Sequence, residues 1–201
     1  SEPSKIFVGD TPISKVFLWD TQVRPATPVE LPYLCFTANT AWSTVQLAQN
    51  WTPTSVTLET STDKVNWSSY TIWSTITLSN IGDKVYFRNT SETDTWFNTD
   101  PSNYYNFSMT WSISWSWDTT TLLNKNWTTT LSNYCFTKLF NFNSSLTTAP
   151  SLPATTLKDY CYSNMFRFCT ALTTVPELPA TNLEIYCYHY MFGWCTALTS
   201  L

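Results

Sequence analysis

Glycine is nearly missing from this chain: it has 3 in 201 residues, where ordinary usage of about 7% would place about 14. No Gly-rich phosphate loop or Walker-type motif appears. Charge is scarce as well, with ten Lys and Arg against fourteen Asp and Glu, a net charge of −4 and an isoelectric point near 4.8. The basic residues never cluster, so nothing neutralises a phosphate backbone, and nucleic acid is not an expected partner. No apolar run approaches the roughly 18 residues of a membrane-spanning helix. The opening Ser1-Glu2-Pro3-Ser4 has no signal-peptide character.

Hydroxyls and indoles are abundant instead. Threonine (36) and serine (22) supply most of the polarity, and there are 11 tryptophans. Glycine and tryptophan together number fourteen, the figure expected for glycine alone. The Thr/Ser richness suits β-rich material exposed outside the cell or on a virion.

The order along the chain predicts a multidomain protein, an all-β sandwich followed by a leucine-rich-repeat α/β solenoid. Residues 1–28 form a strand module with a linker, 29–118 the sandwich and 119–201 the repeat, which stops inside a copy and reads as truncated. The first module holds a ten-residue echo, Lys5-Ile-Phe-Val-Gly-Asp-Thr-Pro-Ile-Ser followed by Lys15-Val-Phe-Leu-Trp-Asp-Thr-Gln-Val-Arg. Each copy is a short strand stopped by a turn, at Gly9-Asp10 and at Trp19-Asp20. Gly-Asp is good turn chemistry because glycine reaches positive φ freely; Trp-Asp is poor. Three prolines across 25–32 mark the linker.

Residues 33–117 follow the strand period. Val45/Leu47, Val56/Leu58, Tyr70/Ile72, Ile76/Leu78, Val85/Phe87 and Phe107/Met109 face one way, separated by clusters such as Asn80-Ile-Gly-Asp83. About seven or eight short strands of this kind predict a sandwich of immunoglobulin-like size. Cys35 is the only cysteine there, so the immunoglobulin Cys–Trp–Cys signature is missing.

From about residue 120 the chain repeats with a period of 26: Leu146-Thr-Thr-Ala-Pro-Ser-Leu-Pro-Ala-Thr-Thr-Leu is matched by Leu172-Thr-Thr-Val-Pro-Glu-Leu-Pro-Ala-Thr-Asn-Leu. A degenerate earlier copy supplies Leu131, Tyr134, Cys135 and Phe140. Leu157, Cys161, Met165 and Cys169 recur every four residues, which predicts one face of a helix. Thr181 with Glu184 fits a capping box at the corresponding helix start, and 146–150 is the strand candidate. Such units bury nothing alone, so the copies are expected to stack.

Five of the six cysteines recur with the repeat, Cys135/Cys161/Cys187 and Cys169/Cys195. Zinc sites favour Cys-x2–4-Cys and the spacing here is Cys-x7-Cys, so the spacing favours a ladder of small buried side chains; disulfides between copies, or a metal, are the other readings. His189 is the only histidine and stands where the neighbouring copy has Ser163, a surface position rather than a catalytic base. Glu92, Asp94 and Asp118 fall in loops and form no glycosidase-like pair. Ser61-Thr62-Asp63 lacks the acidic spacing of a calcium loop. No catalytic residue, cofactor or metal is nominated, and the ligand-binding residues are unknown.

The pattern Leu-Thr-Thr-x-Pro-x-Leu-Pro-Ala-Thr-x-Leu-x-x-Tyr-Cys-Tyr-x-x-Met-Phe-x-x-Cys-Thr-Ala-Leu resembles the repeats of BspA-type leucine-rich-repeat surface proteins, over residues 120–201. The stretch before it, with Thr60-Ser-Thr-Asp-Lys-Val-Asn-Trp67 and Ile81-Gly-Asp-Lys-Val-Tyr-Phe-Arg88, resembles the β-domain that often precedes such repeats in bacterial and prophage proteins. The resemblance implies a non-enzymatic adhesin outside the cell, on the cell surface or on a virion. Its repeat surface would contact a host or neighbouring-cell protein or glycan. Two other roles stand beside it: a phage or prophage tail protein that binds a receptor, and a carbohydrate-binding module that uses exposed Trp51, Trp73 or Trp111.

Family repeats usually carry glycine where this chain has Trp194, and sandwich turns usually carry it at Trp51, Trp73 and Trp127. Thr110-Trp-Ser-Ile-Ser-Trp-Ser-Trp-Asp118 becomes an ordinary Gly/Ser turn segment when glycine is read for tryptophan. Most of these tryptophans are therefore expected to be UGA codons that the source organism reads as glycine. Trp67, placed for a packed indole, is the expected exception.

Overall fold

The structure is a computed structural model, and it describes residues 6–8, 11–13, 33–92, 94–116, 118–124 and 130–199. The second decamer, the 25–32 linker and the positions Trp19, Trp117 and Trp127 lie outside the described residues. The chain divides into two compact units, Ser1–Leu31 and Pro32–Leu201. In the first, β1 (Ile6–Val8) pairs antiparallel with β2 (Thr11–Ile13), Val8 opposite Thr11. The two strands flank the position where the sequence predicts the first turn.

The second unit opens with eight strands: β3 (Leu34–Ala38), β4 (Ser43–Asn50), β5 (Leu58–Ser61), β6 (Ser68–Ser69), β7 (Thr75–Leu78), β8 (Lys84–Asn89), β9 (Tyr104–Thr110) and β10 (Ile113–Ser116). They form two antiparallel sheets, β10-β3-β8-β5-β6 and β7-β4-β9. Strand side chains alternate between faces. Val45, Leu47, Val85, Phe87, Phe107 and Met109 are all buried, on the face their spacing predicts. The sheets meet through aromatic edges: Phe107 lies 4.8 Å from Phe36 and 5.2 Å from Phe87, ring centre to ring centre.

The repeat departs from expectation. Residues 159–168 are a run of turns, not a helix. Tyr160, Asn164 and Phe168 have φ of 57°, 54° and 63°, and a left-handed residue at every fourth position cannot propagate a right-handed helix. Odd-numbered N–H groups close the turns, with Cys161 N–H donating to Lys158 O, Ser163 to Tyr160, Met165 to Tyr162 and Arg167 to Asn164. The four-residue period is therefore real, but its cause is a left-handed residue in each turn rather than helical pitch. Thr181 and Glu184 cap no helix; the Glu184 carbonyl accepts from Cys187 N–H. The strand candidate at 146–150 is reduced to isolated parallel bridges, Ile113 with Leu146 and Thr148 with Thr174.

Even-numbered N–H groups reach the next copy. Tyr134, Phe136, Lys138, Phe140 and Phe142 donate to the carbonyls of Asp159, Cys161, Ser163, Met165 and Arg167. One copy later Tyr160, Tyr162, Asn164, Phe166 and Phe168 donate to Ile185, Cys187, His189, Met191 and Gly193. This alternation satisfies both sets of main-chain donors without a helix or a continuous strand.

The sandwich supplies the same donors to the first copy. Asn98 N–H donates to Cys135 O, the Asn98 side-chain amide to Thr137 O (2.9 Å), and Phe107 N–H to Leu139 O. Phe107 also stacks flat on Phe140, at 5.6 Å and 8°. The buried residues of sheets and repeat form one continuous hydrophobic core.

Candidate functional site

The 26-residue register stacks four aromatic columns. Two are internal: Phe136–Tyr162–Tyr188 with centres 5.9 Å apart, and Phe140–Phe166–Phe192 with centres 5.6 Å apart. Two lie outside them. Tyr134–Tyr160–Tyr186 has spacings of 5.0 and 5.1 Å, and Phe142–Phe168–Trp194 has 4.6 and 4.9 Å. Every residue in both outer columns has positive φ, which turns its side chain outward while its neighbours point in. Phe142, Tyr186 and Trp194 are exposed.

Cations sit on this aromatic surface. The Arg167 guanidinium lies 4.8 Å from the Phe168 ring and 4.5 Å from the Trp194 ring. Lys138 covers Tyr104 at 4.6 Å and donates to Pro101 O. Burial pulls the Lys138 ammonium below its ordinary value, and the Arg167 charge adds to this. His189 is exposed on the same face, its ring 4.4 Å from Tyr190 and 5.0 Å from Tyr186. The arrangement offers flat rings with interleaved positive charge, chemistry suited to a partner with apolar and acidic side chains.

The cysteines are free and buried, as small core side chains. The Cys169 and Cys195 thiols donate to Phe140 O and Phe166 O, each at 3.0 Å. Burial raises the Cys161 thiol to about 12 and pushes Cys135 and Cys169 well above the ordinary value, so these groups stay protonated and unreactive at neutral pH.

The loop carboxylates serve the backbone. Asp118 accepts from Thr120 N–H at 2.7 Å to cap a 3-10 turn at Thr119–Leu122, and burial raises its carboxyl. Asp63 accepts from Asn66 N–H (2.7 Å), Val65 N–H (2.8 Å), Asn66 Nδ2 and Ser61 Oγ. These bonds, led by Asn66 N–H, hold it far below the usual carboxylate range. The Asp94 carbonyl accepts from the Asn124 side-chain amide.

A second aromatic cluster, which the strand pattern did not reveal, lies away from the main core. Tyr33, Cys35 and Tyr86 pack with Trp67. The Trp67 ring centre is 4.7 Å from Tyr33, its Nε1–H donates to Lys64 O at 3.1 Å, and the Arg88 guanidinium lies 4.0 Å over the indole. Arg88 is tied in turn to Glu59. The other notable indoles, Trp51, Trp73 and Trp111, are exposed at separate turns.

No family model, no curated protein and no solved structure matches the chain.

Proposed function

We propose that the 26-residue copies build a leucine-rich-type solenoid in a non-enzymatic surface protein. It binds a protein on a host or neighbouring cell through its outer aromatic columns. The observation that carries this reading is the register of Tyr134–Tyr160–Tyr186 and Phe142–Phe168 with Arg167 over the Phe168 ring, which stands whether or not Trp194 is read as glycine. Aromatic residues and arginine are the side chains that most often dominate protein–protein binding energy. The outer rings are not needed to fill the core, which the two inner columns occupy. Repetition gives a weak contact many identical neighbours, and simultaneous engagement raises the overall affinity.

The test is retention of the purified chain on immobilised extracellular-matrix proteins. A Tyr160→Ser/Phe168→Ser variant should lose retention at least tenfold while keeping its far-ultraviolet spectrum. Retention unchanged by those substitutions would overturn the proposal. A glycan array serves as the second arm: binding there that disappears in Trp51→Gly, Trp73→Gly or Trp111→Gly would favour the sugar-binding role instead.

A further inference from the structure

Four tryptophans share one backbone geometry. Trp42, Trp51, Trp73 and Trp111 have φ of 64°, 58°, 71° and 62°, and their relative exposures are 66%, 76%, 54% and 67%. Each lies in a connection beside a strand: Trp42 just before β4, Trp51 just after it, Trp73 before β7 and Trp111 between β9 and β10. Positive φ is uncommon for any residue with a side chain, and for a bulky one it is an outlier.

One of these turns has an internal counterpart. In Thr71-Ile72-Trp73-Ser74 the Ser74 N–H donates to Thr71 O at 2.9 Å; in Asn80-Ile81-Gly82-Asp83 the Asp83 N–H donates to Asn80 O at 3.2 Å. Both turns have isoleucine second and a left-handed residue third, with φ of 71° at Trp73 and 86° at Gly82. This is the type II turn, whose third position calls for glycine. The same replacement occurs in the sequence echo, Gly9-Asp10 against Trp19-Asp20.

The left-handed aromatics of the repeat differ: those of the outer columns stack on counterparts one copy away, and Tyr190 meets His189 and Trp194 within its own copy. The four turn indoles have no ring partner among the described residues. Trp67 is the opposite case: half-buried, hydrogen-bonded through its indole N–H and packed on Tyr33 and under Arg88.

We infer that Trp42, Trp51, Trp73 and Trp111 are glycine positions, encoded by UGA and translated as glycine in the cell that makes this protein, whereas Trp67 is a true tryptophan encoded by UGG. The sandwich of the natural protein then has ordinary glycine turns, and its turn indoles offer no platform for a sugar.

The codons are the test, together with the masses of peptides spanning these positions in protein isolated from its natural source. The inference expects UGA and a glycine mass at all four positions, and UGG and a tryptophan mass at 67. UGG or a tryptophan mass at any of the four would overturn it, as would UGA at 67. The recombinant quadruple Trp→Gly variant should unfold at the same temperature as the tryptophan form or higher, and Trp67→Gly at a lower one.

Discussion

Replacing Asn98 by leucine should weaken the junction between the sheets and the repeat. Asn98 is fully buried, and its side chain works in both directions: Nδ2 donates to Tyr105 O (3.1 Å) and Thr137 O (2.9 Å), while Oδ1 accepts from Tyr105 N–H (2.7 Å). Leucine has the same branched shape but is bulkier, and it offers none of these partners. Three buried main-chain groups then lose a hydrogen bond, at about 1–3 kcal/mol for a group left without any partner. The three are neighbours, so their costs do not simply add, and the apolar side chain offsets part of the loss. We expect a net loss of about 2–4 kcal/mol, a large share of the roughly 5–15 kcal/mol available to a domain. Urea unfolding followed by near-ultraviolet circular dichroism measures it, and hydrogen exchange locates it at the Tyr105 amide. The exposed Asn39→Leu serves as control, with a change of about 0.5 kcal/mol or less. If Asn98→Leu costs under about 1 kcal/mol and the Tyr105 amide stays protected, the Asn98 side chain is not a significant part of that junction.

Phe166 sits in the middle of an inner column between Phe140 and Phe192, so Phe166→Ala should cost about 3–5 kcal/mol in the same urea titration. The buried thiol of Cys161 is raised from 9.0 to about 12 and Tyr188 from 10.0 to about 12, in both cases chiefly by burial. The unfolded chain therefore releases these protons earlier than the folded one, so stability is full below about pH 9 and falls as pH rises toward 12; thermal unfolding across that range should show the decline, and Cys161→Ala should lessen it. Asp63→Ala should speed amide exchange at Val65 and Asn66. Because the folded carboxyl is held below its ordinary value, lowering the pH should release those amides only beneath the usual carboxylate range.

The strands were legible because half-buried sheets impose a two-residue period, and Val45/Leu47 and Phe107/Met109 keep it without interruption. The 26-residue repeat was equally open to reading. Its local conformation was not: a four-residue recurrence such as Leu157, Cys161, Met165 and Cys169 fits a helix and a chain of turns alike. The signal that separates the two, a left-handed residue every fourth position, falls here on Tyr160, Asn164 and Phe168, of which only asparagine favours that region. Stacking between copies overrides local preference. Asn98 and Asn143 escaped notice for another reason. Asn98 donates to Thr137, and Asn143 accepts from Met109 N–H and donates to Phe107 O, contacts more than thirty residues apart that no local pattern announces.

The ladder between copies has a direction. Through the turns each copy donates its even-numbered N–H groups forward, whereas at the bridged positions Thr173 N–H donates back to Thr147 O, and among the described residues the N–H groups of Tyr186, Tyr188, Tyr190, Phe192 and Trp194 meet no main-chain acceptor. Gain or loss of one whole copy keeps the donors at each junction opposite carbonyls and the rings over their counterparts, whereas an insertion of another length within the turns shifts a junction out of step. A variant with one copy more or fewer should therefore differ in length by one ring spacing of 4.6–5.9 Å, while the sheets stay unchanged.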